Sequence, residues 1–136
     1  MGNPNTRKSS IIRALTGFLY QNPNNTRRYE VQTTNNVLHM YIEPSSLQEK
    51  NILPNAFINM CNNENHILVA LWIKDRTLRN RERTYYPRGV DYIQHFINAG
   101  WNIRQVVVLG VGAIPNMPNL PVNTGFFFIQ NPLTIF

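Results

Sequence analysis

The chain has 136 residues, a length typical of one domain. Charged residues make up only 15% of it and aromatic residues 11%, which excludes a disordered protein, and the lone cysteine, Cys61, excludes a disulfide-stapled toxin and indicates a reducing compartment. Lys and Arg number 13 against 7 Asp and Glu, and the resulting net charge of +6 favours an anionic partner.

Residues 9–20 predict a short amphipathic helix. Ser9 or Ser10 can cap its start, and a Gln-Asn-Pro-Asn sequence ends it. Apolar side chains recur at helical spacing at Ile11, Ile12, Leu15, Phe18 and Leu19.

Residues 29–42 predict a β-hairpin that turns at Asn35 and Asn36. Asparagine tolerates the positive φ angles that a two-residue hairpin turn requires. This turn sets Val31 opposite Met40, and it leaves one face of the hairpin largely apolar and the other largely polar. Such alternation is typical of an antiparallel pair that is covered on one side.

The rest of the chain predicts an α+β domain. Residues 46–49 have the spacing of a capping box, and Pro54 ends the short helix that they open. Further segments are predicted in chain order as a helical turn at 56–61, a buried strand at 66–74, a basic loop at 75–89, a helix at 90–99 that stops at Gly100, a buried strand at 103–110, a loop rich in proline and asparagine at 113–124, and strands at 125–130 and 133–136. We therefore expect a single compact domain over residues 9–136. Its sheet should be mixed or antiparallel with about four to six strands, and the N-terminal and central helices should lie on one side.

The sequence gives little support to an enzyme. Gly110 and Gly112 follow a strand, but Pro115 stands where a dinucleotide-binding fingerprint needs its third glycine. Asp91 and His95 lie four residues apart on the predicted helix, a spacing that favours a surface hydrogen bond over a catalytic pair. One cysteine and three histidines give little support to a zinc site. We expect no catalytic residue, metal, cofactor or small-molecule substrate.

The first residues of the chain predict N-myristoylation. Met1, Gly2 and Thr6 fit the pattern Met-Gly-x-x-x-Ser/Thr, in which removal of Met1 exposes the glycine amine for acylation. This start resembles that of acylated peripheral proteins such as Src-type kinases, retroviral and arenaviral matrix proteins and some bacterial effectors. We expect residues 1–8 to form a flexible basic segment that is acylated at Gly2.

Basic residues follow the acylation motif in the sequence. A single myristoyl chain binds bilayers only marginally, so stable attachment needs a second signal such as a basic patch. Near an anionic leaflet each basic residue contributes about 1 kcal/mol. The apolar stripe of residues 9–20 either enters the membrane interface or packs on the sheet. The five candidate membrane-binding residues precede the first acid, Glu30, and are Arg7, Lys8, Arg13, Arg27 and Arg28.

A second basic cluster follows the strand predicted at residues 66–74. Arginine beside tyrosine suits phosphate contact combined with base stacking, which makes single-stranded RNA one candidate partner and anionic lipid headgroups another. A solvated loop with internal ion pairs is the third interpretation, since Asp75 and Glu82 interrupt the cluster. The candidate residues are Lys74, Arg76, Arg79, Arg81, Arg83, Arg88, Tyr85 and Tyr86.

These patterns favour a non-enzymatic, peripheral membrane protein of the viral matrix or assembly type. An acylated basic N-terminus would attach it to the anionic inner leaflet, and the α+β domain would self-associate or bind a partner. We expect it in the cytoplasm, peripheral to membranes, and in the virion if the protein is viral. Its 20 asparagines are typical of proteins from AT-rich genomes, which many viruses have. The alternatives are a small basic RNA-binding protein, such as a capsid-like protein or silencing suppressor, and an acylated host-directed effector.

Overall fold

The computed structural model describes residues 1–4, 8, 12, 28–32 and 34–129, without the Val31 side chain. Most of the helix predicted at residues 9–20, and all of the strand predicted at 133–136, lie outside the described residues. Ile12, which belongs to the first of these segments, is helical and buried.

The described residues form two helices and seven strands, which confirms the predicted α+β class. The strands are β1 (Arg28–Gln32), β2 (Val37–Glu43), β3 (Ile67–Val69), β4 (Arg76–Leu78), β5 (Thr84–Tyr86), β6 (Gln105–Leu109) and β7 (Gly125–Ile129). The helices are α1 (Pro54–Met60) and α2 (Gly89–Asn98). The strands form three small sheets with the orders β1-β2-β3, β4-β5 and β6-β7. The first is mixed, because β1 runs antiparallel and β3 parallel to β2.

Strands β1 and β2 form the predicted hairpin in a register two residues from the predicted one. Val31 pairs with Leu38, where Met40 was expected. A shift of two residues keeps each side chain on its predicted face, because side chains alternate with a period of two. The difference arises at the turn, since neither Asn35 nor Asn36 has the positive φ of the two-residue turn that the sequence predicts.

Met1 and Gly2 connect strand β6 with the segment that follows β3. The Gly2 N–H donates to the Leu71 carbonyl oxygen at 2.9 Å, and the Ile73 N–H donates to the Gly2 carbonyl oxygen at 3.1 Å. On the other side, the Leu109 N–H donates to the Met1 carbonyl oxygen at 2.8 Å, and Gly2 forms a parallel bridge with Leu109. These two residues therefore lie between the segment that follows β3 and the end of β6.

The main core lies where α1 and α2 pack against the sheets. Phe57 of α1 is fully buried, and its ring meets those of Tyr41, Phe96 and Trp101 at centroid distances of 6.0 to 6.1 Å. The Tyr92 hydroxyl donates to the Ile52 carbonyl oxygen at 2.5 Å, which satisfies the polar end of a buried ring. Apolar residues at helical spacing in α2 supply one wall of this core, as the sequence predicts.

We expect Gly89→Ala to lower the free energy of unfolding by about 1–3 kcal/mol, the usual cost of overpacking. A Cβ atom at this position would meet the Met1 Sδ atom and lie 2.5 Å from the Trp72 carbonyl oxygen. Chemical denaturation measures the loss, with His95→Ala on the exposed side of α2 as the control. A Gly89→Ala variant as stable as the control variant would contradict this close contact.

Candidate anion-binding site on the β4–β5 hairpin

The second basic cluster lies on and beside an antiparallel hairpin. Strands β4 and β5 pair with Thr77 opposite Tyr85, in a region that the sequence predicts as a basic loop. Threonine and tyrosine favour strands because their side chains fit a pleated surface. The hairpin presents residues 79–83 at its tip, and Arg79, Arg81 and Arg83 are all exposed there.

Asn80 orders the tip of the hairpin. Its Oδ1 atom accepts hydrogen bonds from the N–H groups of Glu82 at 3.1 Å and Thr84 at 3.4 Å. Its carbonyl oxygen accepts from the Arg83 N–H at 3.2 Å, and Arg83 has a φ of 47°. Asparagine forms such local bonds readily, because its short side chain reaches the backbone two residues on. The three arginines thus project from a backbone held by its own hydrogen bonds.

The arginines of the tip carry most of its charge. Glu82 is the only acid in residues 79–83. Among the described residues, none of Arg79, Arg81 and Arg83 has a carboxylate oxygen within the 4.0 Å of an ion pair. The third sequence-based interpretation, a loop whose charges are used in internal ion pairs, therefore does not describe the tip.

Two other arginines of the cluster have structural partners. Arg76 Nη1 donates to the Gln48 carbonyl oxygen at 2.7 Å and to Asn51 Oδ1 at 2.9 Å. Arg88 Nε lies 3.1 Å from Asp91 Oδ2, and the two residues form a capping box at the start of α2. These arginines fix the base of the hairpin and the helix that follows, and they are less free to bind a ligand than those at the tip.

Trp72 is a residue of this region that the sequence analysis did not single out. Lys74 Nζ lies 5.8 Å from the centre of its half-buried ring, and Arg76 Cζ lies 5.9 Å from it. Both distances are within the range of cation–π attraction. The sequence holds one signal for this contact, because Trp72 precedes Lys74 by two positions and Arg76 by four. The apolar run of residues 66–74 obscures this signal.

The two tyrosines of the cluster differ in exposure. Tyr85 is 50% exposed, whereas Tyr86 is 5% exposed and belongs to the core. Neighbouring residues of a strand point to opposite faces, so only one of the pair can reach solvent. Partial desolvation and the neighbouring Asp75 carboxylate raise the pKa of Tyr85. Tyr85 is therefore available for stacking on a ligand, and Tyr86 is not.

The acylation candidate, Gly2, is buried between β6 and the segment that follows β3. Its N–H and carbonyl groups pair with Leu71 and Ile73, as described above. This position differs from the flexible segment that the sequence analysis expects for residues 1–8. An acylated Gly2 that reached a membrane would have to leave these hydrogen bonds. Acylation itself stays a prediction.

The described candidates for membrane contact are also engaged within the protein. Lys8 is 8% exposed, its Nζ donates to the Asn3 carbonyl oxygen at 2.8 Å, and burial lowers its pKa. Arg28 Nε lies 2.6 Å from Glu64 Oε1, although the arginine side chain stays largely exposed. The three remaining candidates, Arg7, Arg13 and Arg27, lie outside the described residues.

Two cavities lined by described residues elsewhere in the fold are small. One of about 220 Å³ is lined by residues of β1 and β2 together with Glu64, and one of about 290 Å³ lies beside Ile103 and Val122. Pockets for small molecules usually span about 300–1,000 Å³. The exposed hairpin is therefore a better candidate for a functional surface than either cavity.

In the described part of the chain, neither helix has the length and apolar character that a bilayer-spanning segment requires. No model of a known protein family, no curated protein and no solved structure matches this chain.

Proposed function

We propose that this protein is a non-enzymatic protein that binds single-stranded RNA through the β4–β5 hairpin. The observation that carries the proposal is the combination of three exposed arginines, Arg79, Arg81 and Arg83, with the half-exposed ring of Tyr85 on the same hairpin. Arginine contacts phosphate, and an exposed aromatic ring stacks on any base. A small capsid-like protein or a silencing suppressor needs this kind of sequence-tolerant binding.

The expected strength of RNA binding follows from the two kinds of contact, base stacking and phosphate contact. Stacking on one aromatic ring contributes about 1–3 kcal/mol per base. Phosphate contacts by the three arginines release counterions, so the affinity should fall steeply as salt is added. The hairpin of one molecule therefore binds modestly, and the protein would hold a long RNA by placing several hairpins along it.

Peripheral membrane attachment of the matrix or assembly type is the second proposal. The Met-Gly-x-x-x-Thr pattern at Met1 to Thr6 supports it. Against it, Gly2 and Lys8 are buried and Arg28 is paired with Glu64. Without an acyl chain, the three arginines of the tip would supply about 1 kcal/mol each near an anionic leaflet, which is weak attachment. RNA uses Tyr85 as well as the arginines, and for that reason we favour it.

The test is RNA binding by hairpin variants, measured by fluorescence anisotropy with labelled single-stranded RNA over a range of salt. We expect the triple variant Arg79→Gln, Arg81→Gln, Arg83→Gln to bind more weakly than the wild type. The slope of log affinity against log salt concentration should become shallower by about 2, because each phosphate contact on a single strand contributes about 0.7. Tyr85→Ala should weaken binding by about fivefold or more and leave the slope unchanged. Tyr85→Phe, which keeps the ring, should bind like the wild type.

The control for charge is the double variant Lys50→Gln, Arg104→Gln, which removes exposed positive charge elsewhere. If it weakens binding as much per charge as the hairpin variant does, the attraction is nonspecific and the proposed site is wrong. Flotation of the same proteins with phosphatidylserine vesicles tests the second proposal. Vesicle binding that is lost in the hairpin variant, together with no measurable RNA binding, would replace RNA by a membrane as the partner.

A further inference from the structure

The charged residues are confined to the part of the chain that ends at Arg104. From Gln105 onward the sequence consists of apolar residues together with Asn, Gln, Gly, Pro and Thr. In the fold this uncharged part supplies β6, β7 and the connection between them. In a protein with a net charge of +6, residues 105–136 thus carry no charged side chain.

Among the described residues, strand β7 is paired on one edge, by β6, and unpaired on the other. The Gly125 N–H donates to the Arg104 carbonyl oxygen at 3.0 Å, and the Gly110 N–H donates to the Ile129 carbonyl oxygen at 2.8 Å. Along a parallel strand the residues that bond to the neighbour alternate with residues that do not. Phe126 and Phe128 therefore direct their main-chain groups away from β6. In the described part of the chain, β6 is the only strand paired with β7.

The side chains at this edge are large, apolar and accessible. Phe127 is 52% exposed and Phe128 is 38% exposed, on opposite faces of the strand. Phe126 packs on the core, and its ring centre lies 4.8 Å from that of Phe128. Soluble proteins usually protect such an edge with lysine, proline or a bulge, and β7 has the sequence Gly-Phe-Phe-Phe-Ile.

We propose that β7 is a self-association surface, on which the β7 edges of two copies pair antiparallel about a two-fold axis. A two-fold axis brings the same patch of both copies together, so any charge in the patch would face its own like charge. Strands β6 and β7 carry no charged side chain, so pairing there avoids the repulsion that copies carrying +6 would meet on their charged surfaces. Pairing would satisfy the main-chain groups of Phe126 and Phe128 and cover the exposed ring of Phe127. The RNA-binding hairpin plays no part in this contact.

The test is the oligomeric state, measured by sedimentation velocity over a wide range of protein concentration. We expect the wild type to dimerise reversibly and Phe127→Glu to weaken dimerisation about tenfold or more, because two glutamates would then face each other at the axis. Val37→Glu is the matched control, since Val37 is an apolar residue of similar exposure, 47%, on β2. It should dimerise like the wild type.

A second variant separates edge pairing from a general apolar contact. Phe128→Pro removes an N–H that points away from β6, and proline is tolerated at such a position of an edge strand. We expect it to abolish the dimer while its thermal unfolding stays close to that of the wild type. A wild type that stays monomeric at all concentrations would overturn the proposal. Equal weakening by Val37→Glu, or a dimer that persists in both β7 variants, would overturn it as well.

Discussion

Replacing Gln48 by methionine is expected to lower the free energy of unfolding by about 3 kcal/mol or more. Gln48 is fully buried, and its Nε2 atom donates to the carbonyl oxygens of Trp72 and Pro87, each at 3.1 Å. Its Oε1 atom accepts from the Trp72 N–H at 3.0 Å. Methionine has a similar length and leaves little cavity, but it leaves these three buried main-chain groups without partners. Each unpaired group costs about 1–3 kcal/mol.

Urea denaturation of Gln48→Met and of a neighbouring variant, Ser46→Ala, checks this expectation. Ser46 is also buried, but among the described residues its hydroxyl has no hydrogen-bond partner. Ser46→Ala should therefore be neutral or slightly stabilising, since it removes a desolvated polar atom. Similar stabilities for the two variants would show that the Gln48 hydrogen bonds contribute little.

The Gln48 side chain also connects the fold to the candidate site. Trp72 precedes β4 and Pro87 follows β5, so one side chain holds both ends of the hairpin segment. Arg76 adds a bond from β4 to the Gln48 carbonyl oxygen. The hairpin is therefore anchored at its base by neutral and charge-assisted hydrogen bonds, and the arginines at its tip remain directed outward. Such anchoring reduces the ordering that binding would otherwise require.

Elements with strong local periodicity could be predicted from the sequence. The helix expected at residues 90–99 is α2, Gly89–Asn98, and it is followed by Gly100 with a φ of +86°. The strand expected at 103–110 is β6, Gln105–Leu109. In both segments the apolar pattern coincides with the buried face, so local preference and tertiary packing favour the same structure.

The position of Gly2 could not be predicted, because it depends on contacts between residues far apart in the chain. Gly2 pairs with Leu71 on one side and with Leu109 on the other, and nothing in its local sequence indicates a strand. The buried hydrogen bonds of Gln48 could not be predicted for the same reason, because its partners follow it by 24 and 39 residues. The β4–β5 hairpin was missed for another reason, since its many arginines favoured a solvated loop over a short strand pair.

The stability of the chain that begins at Met1 is expected to rise between about pH 5 and pH 8. The Met1 amine is buried and donates to the Val107 carbonyl oxygen at 2.6 Å. Burial, with a further contribution from the nearby positive charge of Lys8, lowers its pKa from 8.0 to about 5. Between these values the unfolded chain binds a proton that the folded protein does not, so stability increases with pH. The difference between the two pKa values corresponds to about 4 kcal/mol in the free energy of unfolding. This contribution is present in full above pH 8 and lost below pH 5.

Urea denaturation at several pH values checks this origin of the pH dependence. It compares unmodified protein with protein that is acetylated at the Met1 amine. Acetylation removes the titrating group, so the acetylated protein should lack this contribution and be the more stable of the two near pH 5. Lys8→Met should reduce the dependence in part, because it removes the positive charge that disfavours protonation of the amine. Equal slopes with and without acetylation would show that the amine does not titrate in this range. A charged Met1 amine weakens the segment that holds Gly2 between Leu71 and Leu109, so acid should loosen this contact between distant parts of the chain.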